Sequence, residues 1–342
     1  MPSSDRDRAT SLSRYRAPRW LPGGHAQTIY ASLLAPRPAV QFRRTEWTTP
    51  DGDFIDLDWL DGPTDAPLAV LFHGLEGNSR SHYAASLMAM AREYGWRGVV
   101  PHFRGCSGRP NRLPRAYHSG DFEEIHWILE RLAAHAAPAP LFAAGVSLGG
   151  NALLKWLARQ GATATSTLRA AAAVSAPVDL QAAGHGLGRG LNRLYTWHFL
   201  STLKPKSVQK LSQFPGLYDA QAVLRARNLY EFDHLVTAPL HGFSSADDYW
   251  TRASSKPDLG RIQVPTLLLH ARNDPFLPGR FLPQSTDVSP HVTLDYQDAG
   301  GHAGFVSGPF PGRLDWLPQR LLAFFEHAGR CALDHEARAN MG

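Results

Sequence analysis

Two hydrophobic rhythms run along the first half of the chain. Residues 54–59 set Ile55, Leu57 and Trp59 against Asp56 and Asp58. That two-residue period predicts an antiparallel strand with one face in water. Continuous apolar runs then recur at 68–72, 98–102, 140–146, 169–175 and 264–270, with a weaker one at 292–296. Runs of this length suit strands buried on both faces of a parallel sheet. Helical periods lie between them. Residues 81–94 keep Tyr83, Leu87, Met90 and Tyr94 on one stripe, and residues 121–135 open with Asp121 and Glu124, a pair able to cap free backbone N–H groups. A further helix is expected over 314–327.

Alternating strands and helices predict an α/β architecture: a mostly parallel, doubly wound central sheet. The alternation stops over 178–258, where helix-like stretches carry no buried strand. This segment is expected to be a helical cap inserted after the sixth strand, with the core formed by 41–177 and 259–330. Residues 1–40, rich in Pro and Arg with weak periodicity, are expected to be an N-terminal arm lying over the domain, and 331–342 a C-terminal tail.

Composition narrows the classes. In 342 residues, 43% are hydrophobic and 19% charged, enough for a large core. The net charge of +5 comes from arginines scattered beside acids rather than from a basic block, so nucleic-acid binding is not expected. Cys106 and Cys331 are the two cysteines, too few for a disulfide framework. The polar, arginine-rich start lacks a signal-peptide core, and no apolar run approaches a membrane span. A soluble cytoplasmic protein is the expectation.

The chemistry centres on Gly145-Val146-Ser147-Leu148-Gly149. An apolar strand leads in and a helical run leads out. Glycines two residues to either side let the backbone pass closely and leave the serine hydroxyl at the tip of a strained turn. A serine needs a base, and the base needs an orienting acid. In the chain order serine, acid, histidine, each residue should follow a strand. Asp274 follows the run at 264–270, and His302 follows the run at 292–296 within Gly300-Gly301-His302-Ala303-Gly304-Phe305. Asp287, Asp295 and Asp298 are poorer candidates because they do not stand just beyond a buried strand. Two backbone N–H groups should form the oxyanion hole: Leu148, next to the serine, and Leu75 in His73-Gly74-Leu75-Glu76-Gly77. His73, Gly74 and Phe305 are candidate substrate-pocket residues.

Other nucleophile and cofactor signatures do not fit. Glycines 184, 186, 188 and 190 lack dinucleotide-binding spacing and fall in the cap; Gly149-Gly150 is followed by Asn151, not by the Lys of a phosphate-binding loop; and His-Glu-x-x-His is absent.

Several further segments resemble the YheT-like, or AB hydrolase 4, family of bacterial α/β-hydrolase-fold carboxylesterases: Gly24-His25-Ala26-Gln27-Thr28, the 73–77 loop, the run from His102 to Gly108, Tyr117-His118-Ser119-Gly120, and the run from Thr237 to Phe243. The resemblance covers most of residues 20–330. It implies Ser147, Asp274 and His302 as the charge-relay residues and hydrolysis of short-chain carboxylic esters, with no metal or organic cofactor. Hydrolysis of longer lipid esters or thioesters, and a non-catalytic ligand-binding role on the same scaffold, are the alternatives. His25, His118 and His241 are expected to be structural, Cys106 a buried small hydrophobe, and Asp233 with His234 a polar pair. In the cap, Leu191, Leu194, Tyr195, Trp197 and Phe199, followed by Lys204 and Lys206, are expected to form its core, with a lid over the pocket or contact with a lipid surface as the alternative.

Overall fold

The computed structural model describes residues 14–339, with side chains to Cys331. Eight strands form one sheet: β1 Arg43–Thr48, β2 Phe54–Leu60, β3 Leu68–Phe72, β4 Arg97–Pro101, β5 Leu141–Val146, β6 Ala170–Val174, β7 Thr266–Ala271 and β8 Val292–Gln297. Their order across the sheet is β1-β2-β4-β3-β5-β6-β7-β8. The pairs β1–β2 and β2–β4 are antiparallel, and the rest are parallel. The α/β expectation of a mostly parallel sheet therefore holds.

Each buried strand feeds two cores because successive side chains point to opposite faces. Val70, Phe72, Ala143 and Ala171 pack toward α3 (Phe122–Ala136) and α4 (Leu148–Gln160), against Ile125, Leu129, Leu153 and Trp156. Ala69, Leu71, Ala144 and Ala172 face α2 (His82–Glu93) and α10 (Trp316–Ala339), against Leu87, Met88, Leu322 and Phe325. The four alanines of β6 leave room for helices to come close on both sides. Asp121 caps α3 by accepting the Glu124 N–H, as the spacing predicted.

The structure departs from the pattern in four places. The strand β2 is buried along its whole length rather than wet on one face. Its acids are covered by side chains from other segments: Arg109 and Arg44 reach Asp56 and Asp58, and His102 Nε2 lies 2.9 Å from Asp58. An edge strand, β1, precedes it with an exposed-intermediate pattern too weak to mark itself. The helix α10 is helical to Ala339, so the segment after 330 continues it as far as the described residues go. Finally, the described part of the N-terminal arm contains a helix, α1 (Gly24–Leu33); the arm's first 13 residues lie outside the described residues.

Between β6 and β7 the chain forms helices and no strand: α5 Leu180–Leu187, α6 Arg193–Gln213, α7 Ala220–Arg225, α8 Leu229–Phe232 and α9 Ala246–Ala253, with a wide helical turn at Asp233–Thr237. They close over the carboxyl ends of the strands, where parallel α/β sheets bind ligands.

Candidate active site

At the end of β5 the chain turns into α4 through Ser147, held at φ 53° and ψ −121°. A serine before a helix commonly caps it with its hydroxyl. Here the Ser147 side chain makes no cap bond, so its Oγ is left for other use. The flanking glycines are required by backbone: a Cβ on Gly145 would lie 2.5 Å from the Gly149 carbonyl oxygen, and one on Gly149 would lie 2.5 Å from the carbonyl oxygens of Phe72 and His73.

Ser147 is one of five non-glycine residues with positive φ among those described; the others are Glu76, Ser175, Ala303 and Phe305. All five sit in loops after β3, β5, β6 and β8. Strain of this kind, of order 1–3 kcal/mol per residue, persists only where surrounding contacts over-determine it.

The loop after β3 is fixed bond by bond. His73 Nε2 accepts the Phe103 N–H, so its proton is on Nδ1, which donates to the Gly74 carbonyl. The Gly74 N–H donates to the Tyr83 hydroxyl, the Glu76 N–H to the Tyr117 hydroxyl, and the Gly77 N–H to the Gly74 carbonyl. From Gly74 to Gly77, the Leu75 N–H alone makes no hydrogen bond among the described residues. Leu148 N–H, in the first turn of α4, is likewise free. Leu75, Ser147 and Leu148 all line a cavity of about 690 Å³ beneath the cap.

Asp274 and His302 meet at the ends of β7 and β8. His302 Nδ1 lies 2.9 Å from Asp274 Oδ2 and 3.2 Å from Oδ1. A carboxylate only accepts, which puts the imidazole proton on Nδ1 and leaves Nε2 as a base. Asp274 is fully buried. Burial pushes its carboxyl up, but His302, His270 and the Phe276 N–H together outweigh that and hold it below the usual carboxylate range. The hydrogen bonds of His302 run to Asp274 and Thr28, not to Ser147. Its ring stacks on Phe276 with centroids 3.9 Å apart.

The amides of the histidine loop are held by side chains from three elements. Gly300 N–H donates to Gln27 Oε1, Gly301 N–H to Asn273 Oδ1, His302 N–H to Thr28 Oγ1 and Ala303 N–H to Ser175 Oγ. Two of these acceptors lie on α1. A Cβ on Gly24 would stand 1.9 Å from the Asn273 carbonyl oxygen, one on Gly301 2.8 Å from Thr28 N, and one on Gly304 2.7 Å from the Gln27 carbonyl oxygen. The N-terminal helix is thus wedged between the acid loop and the histidine loop, backbone against backbone. Gln27 and Thr28 hold the candidate site's histidine loop in a way that periodicity alone does not reveal; their signal is the 24–28 segment of the family resemblance.

Three candidate pocket residues are placed elsewhere. His73 is buried and ties the loop after β3 to Phe103, with burial pushing its imidazole down to about 3. Gly74 backs Ser147, where an added Cβ would lie 3.1 Å from the serine Cβ. Phe305 turns into the core against Tyr15 and Trp316. The apolar side of the cavity comes instead from Leu180, Leu187, Phe199, Val236, Trp250 and Phe276, most of them in the cap, and polar residues of the core such as Glu76 and His118 line the rest.

The remaining motifs are scaffold. Arg104 reaches Glu124 at 2.6 Å and Asp53 at 3.2 Å, binding the loop after β4 to α3 and to the turn just before β2. His118 and His241 pack ring to ring, centroids 4.4 Å apart, at the seam between core and cap, and His118 also lines the cavity. His25 Nδ1 meets the Tyr195 hydroxyl at 3.1 Å. Burial pushes the Cys106 thiol up to about 12, which disfavours its thiolate, the reactive form. Asp233 lines the cavity while His234 is exposed. In the cap, Tyr195 and Phe199 pack on Phe276, but Leu191, Leu194 and Trp197 are exposed and form no core. No group of three or more His, Cys, Asp or Glu that could hold a metal occurs among the described residues.

Comparison with known proteins agrees with this architecture. The α/β-hydrolase fold family matches residues 67–309. YheT of Escherichia coli, a candidate esterase, is 39% identical over 93% of this chain and 95% of its own length. Phospholipase ABHD3 of Homo sapiens is 31% identical over 90% of this chain and 77% of its own. Among solved structures, an esterase from Exiguobacterium antarcticum superposes with a TM-score of 0.53 at 17% identity, over 82% of this chain and 99% of that one, a likeness of fold. The chain belongs to the α/β-hydrolase fold family, in its YheT-like branch.

Proposed function

We propose that this hydrolase cleaves carboxylic esters through an acyl-enzyme on Ser147. The carrying observation is the Asp274–His302 pair at the ends of β7 and β8, together with a strained serine at the end of β5 whose hydroxyl caps nothing. Ser147 Oγ attacks the ester carbonyl as its proton passes to His302 Nε2, and Asp274 keeps the other ring proton in place. The Leu75 and Leu148 N–H groups hold the oxyanion; one such donor is worth about 3–4 kcal/mol. Collapse expels the alcohol, which takes the proton from His302, and water then repeats the sequence on the acyl-enzyme. The Ser147–His302 hydrogen bond is not made here; it forms when substrate fills the cavity, as catalytic contacts commonly do.

The expectation from resemblance was a short acyl group. The cavity favours a second reading, a longer acyl ester: about 690 Å³, with Leu180, Leu187, Phe199, Val236, Trp250 and Phe276 making one side apolar, is room for a whole drug-sized ligand, and a short acyl would leave most of it empty. The phospholipase among the relatives supports the same reading.

A fluorophosphonate probe labels an activated serine. Labelling of the wild type that disappears in Ser147→Ala supports the serine mechanism; equal labelling of both proteins defeats it. A series of p-nitrophenyl esters of increasing acyl length, with Ser147→Ala as the blank, then ranks the two substrate readings by kcat/KM.

A further inference from the structure

Exposed large apolar side chains are concentrated on two neighbouring helices. Leu191, Leu194 and Trp197, around the start of α6, are 66%, 62% and 71% exposed, and Ile29, Leu33 and Leu34 on and just after α1 are exposed as well. The helices touch through His25 and Tyr195, whose rings stack. Ile29 and Leu33 follow His25 at steps of four, the spacing that aligns side chains on one helix face, so they continue the side of α1 turned toward α6. On α6, Tyr195 and Phe199 turn inward onto Phe276 while Leu194 and Trp197 turn out. Phe310, also exposed, is held beside α1 by Trp20.

Contiguous exposed apolar surface marks an interaction site, and charge selects the partner. Residues 14–45 contain no Asp or Glu, and neither do residues 180–218, although both stretches carry arginines. Arg19, Arg189 and Arg193 are exposed and make no ion pair among the described residues. Leucines and a tryptophan beside unpaired arginines, with no acid in either segment, suit the boundary of an anionic bilayer.

We propose that the face formed by α1 and the start of α6 docks on an anionic lipid surface. No helix among the described residues is long and apolar enough to cross a membrane, so the contact is peripheral. Beyond the docking turns, α6 lines the cavity with Phe199, Thr202 and Leu203. One helix therefore faces the bilayer on one side and the Ser147 cavity on the other, which gives an acyl ester a short path from membrane to nucleophile. That path rests on the esterase reading; the docking does not.

The test is co-sedimentation of the full chain carrying Ser147→Ala, which keeps the vesicles intact, with phosphatidylglycerol–phosphatidylcholine vesicles and with phosphatidylcholine alone. The expected result is binding to the anionic vesicles, reduced at least about tenfold by Leu194→Glu with Trp197→Glu. In the Ser147 background, the same double substitution should leave turnover of a water-soluble ester unchanged, which controls for folding. Absent binding to anionic vesicles, equal binding to both vesicle types, or equal binding of the double variant overturns the proposal. So does light scattering in which the double variant abolishes a dimer, because the occupant would then be a second copy of the chain.

Discussion

Thr28→Val isolates what α1 does for catalysis. The side chain is nearly isosteric, but two hydrogen bonds disappear: the one Oγ1 accepts from the His302 N–H at 2.8 Å and the one it donates to the Gly24 carbonyl at 2.7 Å. Thr28 is buried, so valine brings no water to replace them. Leaving the His302 amide without an acceptor costs about 1–3 kcal/mol, which the loop can relieve by shifting. Neighbouring backbone blocks a large shift, because Gly301 and Gly304 already lie against α1. A displacement of the imidazole by about 1 Å is enough to lower turnover on the order of 10²-fold. The cavity wall is untouched, so KM for a p-nitrophenyl ester should stay within about twofold while kcat falls. Urea unfolding should report the 1–3 kcal/mol, and Thr28→Ser, which keeps the hydroxyl, should restore most of kcat. Wild-type kcat in Thr28→Val, or equal defects in the Val and Ser variants, would refute the positioning role.

Two other outcomes follow from the same geometry. Asp274→Asn keeps the size of the side chain but can hold the wrong imidazole tautomer; kcat should fall on the order of 10⁴-fold with the circular dichroism spectrum unchanged, and near-normal turnover would move the orienting role to another carboxylate. Burial pushes the Asp233 carboxyl up from 3.8 to about 6 against hydrogen bonds from Thr237 and Trp250. Its charged form is less favourable in the fold than in the unfolded chain, so this penalty is absent below about pH 4 and complete once pH has risen past about 6. Asp233→Asn should therefore gain at most about 3 kcal/mol over wild type near pH 8 and nothing from this source near pH 4. A calorimetric difference between the two proteins that does not change with pH would contradict that sign.

Local pattern by itself determined the buried parallel strands, the turn and the chain order of the candidate site. Buried parallel strands read as continuous apolar runs because both faces are covered, and those runs put Ser147, Asp274 and His302 just beyond strand ends. The glycines at 145 and 149 were legible for the same local reason, since the turn they flank is made by the residues beside them.

Tertiary structure decided what depends on partners distant in sequence. The acids of β2 look wet in a two-residue period, yet Arg44, Arg109 and His102 cover them. His73, Gly74 and Phe305 look like pocket residues from their neighbours in sequence, but their contacts turn them into scaffold, and the apolar side of the cavity comes largely from the cap. Thr28 and His302 are 274 residues apart, and nothing periodic joins them. Only folding brings the N-terminal helix between the acid and histidine loops, because the unpaired amides there need acceptors that their own segments do not contain.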